Sequence, residues 1–292
     1  MRLNAMANHS NHQSELGLLS AGLDALETQS STDVTLFKRV LKHAGPILAI
    51  LFFVGAWQIV FNLKLTPDYV LPSPGQVFTS LKNQYEQGIL IPSAWNSLRR
   101  GFQGFIFAIL IATPIGLLLG VNKNVRLVLK PIITGLQQLP SVAWVPAAII
   151  WFGLSNATIY TVILLGAVPS IANGLSSGID QIPTQLLKVG KVLGANRWQS
   201  IRFIILPASL PGFLGGLEQG WAFAWRSLMA AELIAVSPAL GVGLGQLLDV
   251  GRQLGDMALV LGAIISIMFV GVLVERVFFS PIRERTLRVR GL

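Results

Sequence analysis

Between Ala208 and Val236 an apolar run carries three charged residues, Glu218, Arg226 and Glu232, with Trp221 and Trp225 among them. In a helix turning about 100° per residue, the two glutamates differ by only about 40° around the axis, both tryptophans share their stripe, and Arg226 stands about 80° from Glu218. A guanidinium in such a run has two uses. It can attract an anionic solute that passes walls shaped by the tryptophans, or it can be neutralised by Glu218 or Glu232 inside a helix bundle. Either way none of the three should face lipid, because an ionisable group at membrane depth costs at least about 2.5 kcal/mol unless paired or hydrated. Gln137, Gln138 and Ser141 form a second polar set around Pro140. Together with Pro146, that proline frees backbone carbonyls that only protein or water can receive, so these side chains either line a wet path or serve as buried partners of a kink.

Catalysis has no comparable foundation. The 292-residue chain contains no cysteine, and its three histidines, His9, His12 and His43, all precede the first long apolar run. Thiolate and disulfide chemistry are thereby excluded, and no catalytic triad or metal-ligand spacing is present in the apolar segments. The glycines of "GVGLG" at 241–245 match a dinucleotide loop only weakly, because no strand precedes them. A GxxxxGK[ST] phosphate loop is missing as well, so nucleotide energy must come from another polypeptide.

The elements that position the charged groups are membrane helices. With 52% hydrophobic and 12% charged residues and a mean hydropathy of +0.63, a water-soluble fold would lack the polar residues to cover its surface. Six runs approach or exceed the roughly 20 residues that cross about 30 Å of hydrocarbon: Gly45–Asn62, Leu98–Val121, Val125–Phe152, Thr158–Ser177, Ala208–Val236 and Met257–Phe279. None alternates in polarity as a barrel strand does. The expected fold is all-α, a six-helix polytopic domain over 45–280. A largely mobile cytosolic tail over 1–44 precedes it, with Leu16, Leu19, Leu23 and Leu26 at helical spacing, and a basic cytosolic tail over 281–292 follows. Lys and Arg concentrate near both ends, around 123–130 and around 188–202, which places those segments and both termini in the cytosol. The net charge of +9 and pI near 10.4 then reflect topology and contact with lipid, not nucleic acid. "LPSPGQV" at 71–77 is expected to form a proline-stiffened turn leading into a surface helix on the opposite side. The segment 237–256 is too polar and glycine-rich to span.

One basic stretch interrupts the oil: "KVGKVLGANRWQSIRFIILP", Lys188 to Pro207, with four cations and no acid. Pro183 suits the start of a short helix and Gly194 its end, while Asn196 can cap a second helix running through Trp198, Ile201 and Ile204 up to Pro207. Such an elbow either anchors two spans at an anionic lipid surface or docks a soluble partner.

Its spacing resembles the cytoplasmic loop of permease subunits of bacterial ATP-binding-cassette importers. That family's pattern is Glu-Ala-Ala, three residues, Gly, about nine residues, then I-x-L-P. Gly194 and Ala195 match it, as do Ile204, Leu206 and Pro207 and the downstream Pro211, whereas Lys188-Val189-Gly190 stands in place of Glu-Ala-Ala. "LPSPGQV", "SLRRGFQGFIFAILIATPIGLLLG" from Ser97, "QQLPSVAWVPAAIIWFGLS" from Gln137 and "GVGLGQLL" from Gly241 look like the branch that imports aliphatic sulfonates, taurine or nitrate, so the resemblance spans nearly everything after Gly45.

It implies a type I importer-like permease of the bacterial inner membrane with a helix-turn-helix coupling loop over 183–206. Its partners would be a second copy of the chain, two cytosolic subunits that bind ATP and Mg, and an extracytoplasmic solute-binding protein. The ATPase contact would centre on Leu187, Lys188, Lys191, Leu193, Gly194, Ala195, Asn196, Arg197 and Trp198. The solute path would run past Gln137, Gln138, Ser141, Glu218, Trp221, Trp225, Arg226 and Glu232. The expected solute is an aliphatic sulfonate or taurine; nitrate, bicarbonate or a small heterocycle are the alternatives. Gly212, Gly216 and Gly220 recur every four residues and permit close helix contact, within one subunit or between two. A stand-alone secondary transporter is the reading from another class, but it would need a coupling-ion site and matched broken halves.

Overall fold

A computed structural model describes residues 44–45, 47–65, 67, 69–237 and 240–289. Residues 1–43 and 290–292 of the two expected tails lie outside the described residues. The chain divides into two compact units, Met1–Thr66 and Pro67–Leu292. In the first, the apolar helix α1 covers Ile47–Asn62 and is shorter than the other spans.

The second unit contains α2 (Pro74–Glu86), α3 (Leu90–Val121), α4 (Lys123–Gln138), a 3-10 turn (Ser141–Trp144), α5 (Val145–Phe152), α6 (Asn156–Asp180) and α7 (Thr184–Val192), followed by α8 (Arg197–Ser200), α9 (Leu206–Ile234), α10 (Leu244–Leu254), α11 (Met257–Val274) and α12 (Ser280–Val289). Helix α2 follows the expected proline turn, with Ser73 and Gln76 forming a reciprocal capping box. Among the described residues, four helical rods are long and apolar enough to cross a membrane: Leu90–Val121, Asn156–Asp180, Arg197–Ile234 and Met257–Thr286.

The segment expected to span over Val125–Phe152, interrupted at its prolines, is bent more sharply than a kink: two helices, Lys123–Gln138 and Ser141–Phe152, meet at 95°. Proline is the cause. It pushes the residue before it out of the helical region, and Leu139 is extended at ψ 131°, so α4 stops and the chain restarts at Ser141. The elbow's second helix differs too, because it does not end at Pro207. A π-helical stretch, Ile201–Ile205, joins α8 to α9 in one rod. Pro207 brings no N–H and its ring would strike the carbonyl four residues back; in the wider turn the Leu206 N–H reaches the Ile201 carbonyl. The same device recurs before Pro281, where the Ser280 N–H reaches the Glu275 carbonyl.

Helix α6 is the axis of this unit, packed between α3 and α9. Its glycines meet those of α9 directly. A Cβ on Gly174 would lie 2.3 Å from the Gly216 Cα, one on Gly212 would lie 2.4 Å from the Gly178 Cα, and one on Gly220 would lie 2.4 Å from Ile171. The four-residue glycine repeat therefore serves packing within the chain. Gly174→Val should force the two backbones apart and lower the thermal midpoint of the detergent-solubilised protein, at a cost of about 1–3 kcal/mol or more. Gly135→Val, where an added Cβ meets nothing within 4 Å, should shift the midpoint far less.

Candidate functional site

Helix α9 sorts its polar residues onto two faces. The inward face holds Trp221 and Trp225, 3% and 7% exposed and stacked with ring centroids 5.9 Å apart. Trp221 packs on Phe102 and Phe105, and Trp225 donates its indole N–H to the Ile267 carbonyl at 3.2 Å. The expectation that these rings wall a path is corrected: they are core.

Glu232, on the same face, has no exposed surface. Its Oε1 accepts from Arg100 Nη1 at 3.0 Å, and its Oε2 accepts from Ser97 Oγ at 2.7 Å and from the Gly245 N–H at 3.1 Å. Arg100 also donates to the Leu240 carbonyl, and the Leu244 N–H donates to Ser97 Oγ at 2.8 Å. The carboxylate thus sits at the N-terminus of α10, where free N–H groups and the helix dipole favour an anion. A Cβ on Gly243 or Gly245 would lie 2.4 or 2.6 Å from the Glu232 side chain, so "GVGLG" is small in order to wrap this group. Glu218 is engaged elsewhere, by Arg283 Nη1 at 3.3 Å. Neither glutamate neutralises Arg226, which corrects that expectation. Arg100, the partner that sequence reading missed, stands near the start of the apolar run that opens at Leu98, an unfavourable place for a cation without a buried acid.

Arg226 lies on the outward face. Its Nε donates to the Ala222 carbonyl at 3.0 Å and its guanidinium rests 4.6 Å from the Phe223 ring centroid. It joins none of the ion pairs formed among the described residues. Gly215, Gln219, Ala222 and Arg226 are all exposed and recur at helical spacing, a small and polar stripe on a helix whose exposed face should be Leu, Ile and Phe if it met lipid. The broken helix comes to this level. Ser227 Oγ donates to Ser141 Oγ at 2.6 Å, in space left by the missing side chain of Gly166. Gln138 is exposed beside the break, whereas half-buried Gln137 accepts from Asn173 Nδ2 of α6 at 2.7 Å. Of the expected path residues, then, the structure leaves Arg226 and Gln138 open, ties Ser141 and Gln137 to neighbouring helices, and buries Trp221, Trp225 and Glu232.

The elbow is built from local signals. Pro183, at φ −56° and ψ 130°, precedes α7. Gly194, at φ +75°, reverses the chain in a left-handed conformation that only glycine adopts freely, and the Ala195 N–H closes the turn on the Gly190 carbonyl at 3.0 Å. The Asn196 side chain accepts the Gln199 N–H at 2.8 Å while Gln199 Oε1 accepts the Asn196 N–H at 2.8 Å. Gly190 is the one buried residue of α7, and a Cβ there would lie 2.2 Å from Ile204 Cδ1. Leu187 and Ala195 face a cavity under the turn, with Ile182, Ile201 and Ile205. Val192, Leu193 and Trp198 are exposed, as are Lys188, Lys191 and Arg197, the last two at the rim of that cavity. An element that closes on itself and exposes apolar side chains at its tip is suited to being gripped.

Residues 104–279 match the family described as the binding-protein-dependent transport system inner membrane component. The taurine transport system permease protein TauC of Escherichia coli is 34% identical over 199 residues, 66% of this chain and 72% of that protein. The bicarbonate transport system permease protein CmpB of Synechococcus elongatus is 29% identical over 242 residues, 79% of this chain and 85% of its own length. Among solved structures, the MetNI methionine ABC transporter in an inward-facing conformation is similar with a TM-score of 0.57 over 70% of this chain and 98% of that chain; at 21% identity the likeness is one of fold.

Proposed function

Because this chain belongs to the inner membrane components of binding-protein-dependent transport systems, we propose that the exposed stripe of α9 and the break before Ser141 line the path of a small anion, with Arg226 as its cationic station. The protein is the permease subunit of an ATP-binding-cassette importer, a multi-pass protein of the inner membrane. It is a transport component and not an enzyme, working with an ATPase that hydrolyses ATP and with a solute-binding protein.

The observation that carries the reading is an exposed Arg226, with no acidic partner among the described residues, in a stripe of Gly215, Gln219 and Ala222. Facing lipid, that guanidinium would cost about 2.5–3.5 kcal/mol near a helix centre. A second copy presenting the same stripe removes the cost and encloses a wet channel between two arginines. Sulfonate and bicarbonate both offer oxygens that a guanidinium fork can hold. Taurine or another aliphatic sulfonate is the proposed solute, in keeping with the similarity to a taurine permease; bicarbonate is the second reading, on the similarity to a bicarbonate permease. An uncharged heterocycle could accept hydrogen bonds from Arg226 but would bring no charge to neutralise it. We place both termini and the elbow on the cytosolic side, by the distribution of Lys and Arg, and two ATPases carrying ATP and Mg against Leu187 to Trp198.

The absence of native cysteine makes the test direct. Gln219→Cys should be joined between two copies in membranes by a bifunctional thiol reagent long enough to bridge the channel, whereas Met268→Cys, exposed on α11, should not. An active Gln219→Cys protein that never cross-links would remove the stripe from the interface. In the reconstituted assembly, the solute that stimulates ATP turnover among taurine, bicarbonate and nitrate identifies the cargo.

A further inference from the structure

From Thr184 to Ile205 the elbow carries Lys188, Lys191, Arg197 and Arg202 and no acid. All four cations are exposed and none joins an ion pair among the described residues. Lys188 and Lys191 lie one turn apart on α7, next to a strip formed by Val189, Val192 and Leu193; the last two are 87% and 78% exposed. An amphipathic helix lying on lipid sinks one continuous apolar face and keeps its cations on the other. Here α7 is held at Gly190 against Ile204 and at half-buried Leu187 over the cavity beneath the turn, and its other residues are exposed. Apolar and cationic side chains meet around a projecting tip, a shape that a cleft encloses and a flat surface does not.

Building on the reading that the elbow is what the ATPase grips, we propose that the docking cleft of this chain's ATPase is apolar at its floor and acidic at its rim. Its sign is opposite to that of a cleft suited to the glutamate that the family pattern has where Lys188 stands. Like charges set face to face across an interface reject the wrong partner, so Lys188 and Lys191 act as selectors among ATPases. The apolar tip supplies area common to any partner; the lysines decide which one stays.

The test uses the full-length chain in nanodiscs and the ATPase subunit that co-purifies with it. Lys188→Glu/Lys191→Glu should weaken association about tenfold or more at about 50 mM salt, and the difference should close at about 1 M, where the screening length is about 3 Å. Placing lysine at the facing acids of the cleft should restore binding. Unchanged or tighter association in the reversed variant overturns the proposal. Leu193→Asp separates this from the reading beneath it. If that variant abolishes association while charge reversal does not, the elbow is the contact but the cleft is not acidic; if neither has an effect, both fall. A charge effect seen in nanodiscs containing phosphatidylglycerol and lost in phosphatidylcholine alone assigns the lysines to lipid and also overturns it.

Discussion

Arg226→Ala is expected to lower solute uptake in proteoliposomes by about 10- to 100-fold, matching the loss of hydrogen bonds to a charged group worth about 1.5–3 kcal/mol. The ATPase should still co-purify, because the elbow lies at the far end of the rod that begins at Arg197. Arg226→Lys should fall between the two: it keeps the charge but loses the planar fork that grips two oxygens at once. Stability separates a path from a lipid-facing accident. A cation that met hydrocarbon would be a burden of about 2.5–3.5 kcal/mol, so its removal would raise the thermal midpoint and leave uptake intact. A cation that meets water and solute leaves the midpoint nearly unchanged and takes transport with it. Wild-type uptake by Arg226→Ala would end the assignment.

The two polar sets differed in how far sequence alone could place them, and the reason is range. The turn of the elbow rests on neighbours: Gly194 needs only its own φ, and Asn196 and Gln199 cap each other three residues apart. Such signals are legible because the physics is local. Helical periodicity likewise put Trp221, Trp225 and Glu232 on a shared stripe, and they do share one, in the core. Periodicity shows which residues travel together and not where they go; the choice between core and path depends on α3, α6 and α11, which arrive from elsewhere in the chain. Pro140 announced a disturbance, yet its 95° bend depends on how the restarted helix seats Ser141 against Ser227, 86 residues away. The partner of Glu232 was beyond such reasoning for the same cause, since Arg100 lies 132 residues earlier.

That buried pair yields the other large effect. Glu232→Ala should destabilise the protein by about 3–5 kcal/mol, because the Arg100 guanidinium remains buried with its counter-charge gone. The loss goes beyond one ion pair. Ser97 Oγ and the Gly245 N–H lose their acceptor together, and the segment from Leu240 to Gly245 is held to α3 through these same groups. Hydrogen exchange should therefore rise first in peptides covering 240–248, with α6 retaining its protection. Glu232→Gln keeps the shape that Gly243 and Gly245 wrap and should cost less, though it still leaves Arg100 unpaired. The decisive comparison is Arg100→Met with Glu232→Met: if the burden is the uncompensated charge, the double variant is more stable than Glu232→Ala although it has lost more polar groups. It should not regain wild-type stability, since the Leu240 carbonyl keeps no donor from Arg100 and Ser97 no carboxylate. Equal stability of the double variant and Glu232→Ala would mean that the wrap of glycines around the carboxylate, and not its charge, holds the α10 turn in place.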